Sequence, residues 1–249
     1  MLTEERHGEI LKILQERPAV TVQELTEILD TSESTIRRDL TALHNLGKLN
    51  KVHGGATSLA GQFNAKDDTV TIRQRLNWEE KCRIGEYAAA LVGKDDFIYV
   101  DAGTSTQAMI QHIEERRALY VTNGILHARH LAQRGCRVFV LGGEIKPATE
   151  AVVGSEALDA LRKYNFTKGF FGANGVTAES GYSTPDVNEA MVKAKAMARC
   201  GESYVLCDPA KVGRISPVTF APIEAAVLIT TKLEHESLKG CTEILEVDL

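Results

Sequence analysis

Ser32-Glu33-Ser34-Thr35-Ile36-Arg37-Arg38-Asp39-Leu40-Thr41-Ala42-Leu43 is the stretch that decides the reading. Ser32 suits the N-cap of a helix, because its hydroxyl can accept a hydrogen bond from a first-turn backbone N–H. At helical spacing Ile36, Leu40 and Leu43 share one face, while Ser34, Thr35, Arg37, Arg38 and Thr41 point the other way. An apolar face that packs and an opposite face of hydroxyls and guanidiniums suit the groove of a DNA duplex.

Working outward, Thr21 and Glu24 form a capping box, and Val22, Leu25, Ile28 and Leu29 give a short helix one apolar stripe. Asp30-Thr31 makes the turn into the cationic helix. Earlier still, Ile10, Ile13 and Leu14 follow the acidic turn Thr3-Glu4-Glu5 and predict a first helix that stops near Arg17-Pro18. On the other side, Lys48 to Val52 alternates as a short strand, and His53-Gly54-Gly55 turns into a second strand from Ala56. Residues 1–57 therefore read as a winged helix-turn-helix. Its expected DNA contacts are Ser32, Ser34, Thr35, Arg37, Arg38 and Thr41 on the helix and Lys51, His53 and Gly54 in the wing. The alternative is a small helical bundle whose arginines are merely solvated.

The net charge of −5 argues against nucleic-acid binding only when averaged over all 249 residues. Between Ser34 and Gly55, Arg37, Arg38, Lys48 and Lys51 face the single acid Asp39, whereas residues 4–33 hold eight acids against Arg6, Lys12 and Arg17. Attraction to phosphates follows the local field rather than the total. The longest apolar runs, such as Ala88 to Val92 and Ala225 to Ile229, are far too short to span a membrane. With no basic-then-apolar start at Met1, a cytoplasmic location is expected, and no membrane partner. Five cysteines without a CxxC pair indicate neither a disulfide framework nor a zinc cluster. No metal and no cofactor is expected.

Residues 58–75, including Gly61 to Asp68, have linker composition. From residue 76 to 249 apolar strands alternate with helical stretches, the pattern of a mainly parallel α/β sheet covered on both faces. Strands are expected at 97–100, 119–122, 137–141, 169–171, 204–207 and 226–230, and helices at 79–92, 104–116, 125–134, 155–163 and 187–200. Glycine-rich and polar turns follow the strands: Asp101-Ala102-Gly103-Thr104-Ser105-Thr106, Asn123-Gly124, Gly142-Gly143, Gly172-Ala173-Asn174-Gly175 and Asp208-Pro209-Ala210-Lys211. In a parallel sheet these turns converge on one edge, where ligands bind. Gly103 lets a ligand approach the backbone, and Thr104, Ser105 and Thr106 offer hydroxyls and amides at a helix N-terminus, a setting that favours phosphate. Any single turn of this kind can also be plain turn chemistry. Glu189 and Lys193 can be an ordinary i,i+4 pair or ligand contacts, and Lys211 is similarly open. His127 and His130 lack a carboxylate or thiol to complete a metal set, so a surface or packing role is expected of them.

Arg6, Ile10 and Leu14, followed by Ser32, Thr35, Ile36, Arg37, Arg38, Asp39 and Leu40, resemble the DeoR-family helix-turn-helix signature, and Lys51 to Ala56 resembles that family's wing. Trp78 to Leu249 resembles the family's sensor domain, which is similar in fold to ribose-5-phosphate isomerases and coenzyme-A transferases. The resemblance implies a repressor of a sugar-utilisation operon. It assigns the effector's phosphate to the turn Asp101, Gly103, Thr104, Ser105 and Thr106, with Asn123, Asn174, Glu189, Lys193 and Lys211 around the sugar. Thr149 to Gly154, Gly172 to Val176 and Ser183 to Asp186 most resemble fructose-operon repressors, which makes fructose 1-phosphate the first effector to consider. The competing class is a sugar-phosphate isomerase, in which Glu189 and Lys193 would act as base and electrophile. However, Gly172 to Val176 lacks the acids that isomerases of this fold carry there, so no catalytic residue and no enzyme activity is expected. Double-stranded operator DNA, a sugar phosphate and a second copy of the chain are the expected partners.

Overall fold

The computed structural model describes residues 2–16, 19–46, 48–52, 54–57, 70–233, 238 and 240–248. By contact density the chain divides into two compact units, Met1–Phe63 and Asn64–Leu249.

The first unit contains α1 (Thr3–Glu16), β1 (Ala19–Thr21), α2 (Val22–Ile28), α3 (Glu33–Asn45), β2 (Asn50–Val52) and β3 (Gly55–Thr57). Both expected caps form: Thr21 and Glu24 close a capping box on α2, and Ser32 accepts from Thr35 N–H at the start of α3. Ile10, Leu14, Leu25, Ile36, Leu40 and Leu43 meet in one core. The wing has one more strand than the sequence suggests, because β1 pairs antiparallel with β3, giving the order β1-β3-β2. Gly55 is required by this close pairing, since a Cβ there would run into the Val20 carbonyl oxygen.

The second unit begins with α4 (Val70–Arg75), within the stretch expected to be linker. The Gln74 amide donates to Gln107 Oε1 at 2.8 Å, so this helix is tied to the second unit. There follow α5 (Trp78–Ala90), β4 (Phe97–Val100), α6 (Thr104–His112), β5 (Leu119–Thr122), α7 (Ile125–Gln133), β6 (Arg137–Val140), β7 (Glu144–Lys146), β8 (Ala151–Val153), α8 (Ser155–Leu161) and β9 (Phe166–Gly172). After these come β10 (Gly175–Thr177), β11 (Gly181–Thr184), α9 (Val187–Met197), β12 (Cys200–Leu206), β13 (Val218–Ala221), β14 (Val227–Thr231) and β15 (Ile244–Val247).

Seven strands form a sheet in the order β15-β14-β12-β9-β4-β5-β6, with every neighbouring pair parallel. Alternation along the strands feeds two cores. Tyr99 and Phe171 join residues of α8 and α9 on one face, while Ile98, Val100 and Phe170 join α5 and α6 on the other. Gly85 allows α5 to lie close against α6, because a Cβ there would meet the Met109 backbone nitrogen at 2.5 Å. The antiparallel additions, β10-β11-β13 and the β7–β8 hairpin, were not expected from the sequence.

The strand order places a topological switch between β4 and β9. From β4 the sheet grows through β5 and β6 in one direction, then β9, β12, β14 and β15 extend it in the other. At such a point the two outgoing connections diverge and leave a crevice beyond the carboxyl ends of the strands, where ligands of open α/β sheets bind.

Candidate functional sites

In the first unit α3 presents the expected surface. Ser32, Ser34, Arg37 and Arg38 are exposed and Thr35 and Thr41 half-buried. Ser32 Oγ lies 3.0 Å from Ser34 Oγ and 2.9 Å from Thr35 Oγ1, so its hydroxyl serves the helix cap. Arg37 is held by Glu33 one turn back at 3.2 Å. Arg38 makes no hydrogen bond or ion pair among the described residues. Lys51, exposed on β2, donates to Thr41 Oγ1 at 2.7 Å and joins wing to helix. Gly54 occupies the left-handed region at φ 86°, and its carbonyl accepts from Val22 N–H at 2.9 Å. His53 lies outside the described residues.

Asp39, the only acid in the cationic stretch, does not dilute this surface. It is buried and accepts from Arg6 Nε at 2.5 Å and Arg6 Nη2 at 3.1 Å, with His7 Nε2 at 3.2 Å. Burial pushes its carboxyl up, but the hydrogen bonds from Arg6 and His7 outweigh that and hold it below the usual range. Arg6 thereby clamps α1 to α3.

In the second unit the turn after β4 sits at the switch point. Asp101 is fully buried, its Oδ2 accepts from Gly172 N–H at 3.1 Å across to the end of β9, and it is ion-paired with Lys193 of α9. Lys193 Nζ also donates to the Gly172 carbonyl at 3.0 Å. Burial raises the Asp101 carboxyl, and Lys193 only partly offsets it. The i,i+4 alternative for Glu189 and Lys193 is thus incorrect: α9 directs them to different partners. Glu189 Oε1 accepts from Thr149 Oγ1 at 2.5 Å and Lys146 Nζ at 3.1 Å.

Several residues assigned to the ligand instead build the turn. Asn123 Oδ1 accepts from Ala102 N–H at 2.8 Å, and its amide donates to the Val152 carbonyl at 3.3 Å. Thr106 Oγ1 donates to the Asp101 carbonyl at 2.6 Å and lies 3.0 Å from His127 Nε2, which also takes the Gly103 N–H at 3.4 Å. Burial pushes His127 down to about 4, so it is neutral near pH 7. The packing role expected of it is therefore specific, since it braces the turn.

What remains for a ligand is narrower and better defined. α6 opens at Gly103 without a side-chain cap, so the first-turn N–H groups of Thr104, Ser105 and Thr106 lack intrahelical partners. Ser105 Oγ is buried and has no hydrogen-bond partner. Four donors with the positive end of a helix dipole, beside the Lys193 ammonium, suit a phosphate or carboxylate. Asn174, after β9, is half-buried, with Oδ1 accepting from Thr184 Oγ1 at 3.3 Å.

Lys211 belongs to a second group at the end of β12. It pairs with Asp208 at 3.5 Å, and Asp208 accepts from Asn77 Nδ2 at 2.7 Å. Buried Lys81 donates to the Arg73 and Leu76 carbonyls at 2.6 and 2.7 Å, and burial lowers its amine to about 8, with Lys211 contributing. Sequence reasoning missed Lys81. Its signal was its place on the buried stripe of α5 with Ile84, Gly85, Ala88 and Ala89, where an unexplained cation needs a buried partner. A cavity of about 480 Å³ beside Phe220 and Ile223 is lined by Glu179 and Glu224 and no cation, which does not suit an anion. Among the described residues there is no cluster of metal ligands, and no helix long and apolar enough to cross a membrane.

Comparison with known proteins places this architecture. Residues 6–62 match the DeoR-like helix-turn-helix domain, and residues 76–232 match the DeoR C terminal sensor domain. The chain belongs to the DeoR family. It is 41% identical over 236 residues to the uncharacterized HTH-type transcriptional regulator FruR of Bacillus subtilis (strain 168), covering 94% of this chain and 93% of that protein. It is 32% identical over 251 residues to the lactose phosphotransferase system repressor of Streptococcus mutans serotype c, covering 99% of each. Among solved structures, ribose 5-phosphate isomerase A of Methanocaldococcus jannaschii aligns over 55% of each chain at 15% identity, with a TM-score of 0.41. The sorbitol operon regulator SorC of Klebsiella pneumoniae aligns over 81% of this chain and 88% of its own at a TM-score of 0.35. This DeoR-family member is accordingly a DNA-binding transcriptional regulator with a C-terminal sensor domain.

Proposed function

We propose that this DeoR-family regulator represses a sugar-utilisation operon and is released from its operator by a phosphorylated ketose, with fructose 1-phosphate the first candidate. The observation that carries the reading is the uncapped start of α6 at the switch point, with Ser105 Oγ buried and unpartnered on a helix that follows directly on Asp101, the partner of Lys193. Such a site rewards a dianion and offers little to a neutral sugar, so free fructose is inert. The likeness to the lactose phosphotransferase system repressor supports a sugar phosphotransferase context. Arg37, Arg38, Lys51 and the hydroxyls of α3 contact the operator, and two copies of the chain supply the two recognition helices of a two-fold site. If the ligand prefers the state that binds DNA poorly, it weakens DNA binding by that same preference.

The protein works by binding rather than turnover. Both candidate acids already have cationic partners, Asp101 with Lys193 and Glu189 with Lys146, and the turn after β9 carries no carboxylate. Operator DNA selected from genomic fragments, then titrated by fluorescence anisotropy with and without fructose 1-phosphate, fructose 6-phosphate, tagatose 6-phosphate and fructose, tests the reading. Release by one phosphate and not by fructose is expected. Insensitivity to all three phosphates discards the ketose-phosphate effector.

A further inference from the structure

The β7–β8 hairpin is an addition to the parallel sheet that none of the expected functions uses. It runs antiparallel, pairing Glu144 with Val153 and Lys146 with Ala151. Several of its bonds go to elements around the switch point. The Glu150 carbonyl accepts from Ile125 N–H at 3.2 Å at the start of α7, where no side chain caps the helix. Val152 N–H donates to the Asn123 carbonyl at 2.6 Å, and the Val152 carbonyl accepts the Asn123 amide. Lys146 reaches Asp186 Oδ2 at 3.3 Å and Glu189 Oε1 at 3.1 Å, and Thr149 donates to Glu189 Oε1.

Glu189 is therefore held by one oxygen only. Oε1 takes both hairpin donors, whereas Oε2 makes no hydrogen bond or ion pair among the described residues. The side chain is buried but keeps 8% of its surface exposed. A buried carboxylate with donors on one oxygen and none among the described residues on the other retains acceptor capacity for a further donor. It shares α9 with Lys193, one turn on, whose ammonium sits at the Asp101 turn.

We infer that the β7–β8 hairpin is the specificity element of the effector site, with Lys146 and Thr149 as positioning residues that aim Glu189 Oε2 at a hydroxyl of the sugar. This rests on the sugar-phosphate reading and adds the division of labour within it. The α6 N-terminus binds the phosphate, and the hairpin, through Glu189, selects which hydroxyl pattern is accepted. Lys146 also offsets the charge of Glu189, so that a buried acid does not repel a dianion bound near Lys193. Neither hairpin side chain need touch the ligand, and a sugar lacking a correctly placed hydroxyl leaves Oε2 without a donor.

The test is calorimetric titration of the full chain with inorganic phosphate and with fructose 1-phosphate, fructose 6-phosphate and tagatose 6-phosphate. It is run on wild type, Thr149→Val, Thr149→Ser, Lys146→Met and Lys146→Arg, with Ser105→Ala for comparison. Thr149→Val keeps the side-chain shape, so it preserves the test if Lys146→Met folds poorly. Expected for Thr149→Val and Lys146→Met is phosphate affinity within twofold of wild type and at least tenfold weaker binding of the preferred sugar phosphate. The preference among the three sugars flattens with it, and Thr149→Ser and Lys146→Arg restore most of both. Ser105→Ala should weaken phosphate and all sugar phosphates alike, leaving the preference intact. A preference unchanged in folded Thr149→Val, or equal losses for phosphate and sugar phosphate, overturns the hairpin's role while leaving the effector reading standing. Wild type that binds phosphate but none of the three sugars overturns both.

Discussion

In each unit a buried aspartate meets a cation carried by a helix, Asp39 with Arg6 in the first and Asp101 with Lys193 in the second, and the two behave in opposite ways. Asp39 has a two-pronged arginine and a histidine, enough hydrogen bonds to hold its carboxyl below the usual range despite burial. Asp101 has one lysine and one backbone N–H, and burial wins. A fully satisfied pair fastens two elements, here α1 to α3. An incompletely satisfied one, beside an uncapped helix, leaves part of its lysine's charge available to an anionic ligand. Asp39 is thus a structural clamp and Asp101 part of the proposed effector site, although the sequence offers the same residue type on both.

The largest effect that can break this contrast is at Asp39. Asp39→Ala strands Arg6 and should cost the first unit about 3–5 kcal/mol, read as its denaturation midpoint, with no recovery on adding phosphate. A loss below about 1 kcal/mol would mean that the clamp is decorative. Next is acidification of the sensor unit. His127 is depressed to about 4 from an ordinary 6.5, so the unfolded chain binds more protons between those values, and stability falls as pH drops through that window. Its share is roughly 3 kcal/mol, fully present above pH 6.5 and gone below pH 4. Unfolding free energies across pH 4–7 should lose most of this slope in His127→Gln, and an unaltered slope would remove His127 as the acid-sensitive brace.

Smaller differences sharpen the DNA-binding half. Arg38 is uncommitted while Arg37 must release Glu33, so Arg38→Ala should weaken operator binding by about 1–3 kcal/mol, the ordinary value of a base or phosphate contact. Arg37→Ala should cost less. The reverse order in anisotropy titrations would show that the Glu33 pair presents Arg37 to DNA. Smallest is Glu150→Gly in the hairpin turn. Glu150 holds φ 53°, a left-handed conformation that glycine adopts freely, so the substitution should stabilise the sensor unit by at most ~1 kcal/mol. A loss on thermal unfolding would assign the Glu150 side chain a contact of its own.

Much of the scaffold was legible in local chemistry. The caps at Thr21 and Ser32, the strands at 97–100 and 119–122 and the buried stripe of α3 follow from side-chain type and spacing, which act over a few residues. The short antiparallel strands were not legible. β1, β7 and β10 are three residues long and are defined by their partners rather than by any pattern of their own. Lys81 went unread for a related reason: of the two carbonyls that receive it, that of Arg73 comes from α4, in a stretch whose composition reads as linker, and that of Leu76 follows directly on that helix.

By itself the sequence determined the winged helix-turn-helix, the parallel α/β character of the sensor and the glycine–hydroxyl turn at Asp101 to Thr106, because periodicity, capping and turn chemistry are local. Only the tertiary structure decided that β9 lies beside β4, which creates the crevice, and that Asp101 takes Lys193 while Glu189 takes Lys146 and Thr149. Those pairings join residues 40 to 92 positions apart. Whether two such residues meet depends on strand order and helix packing, which no short window of sequence contains.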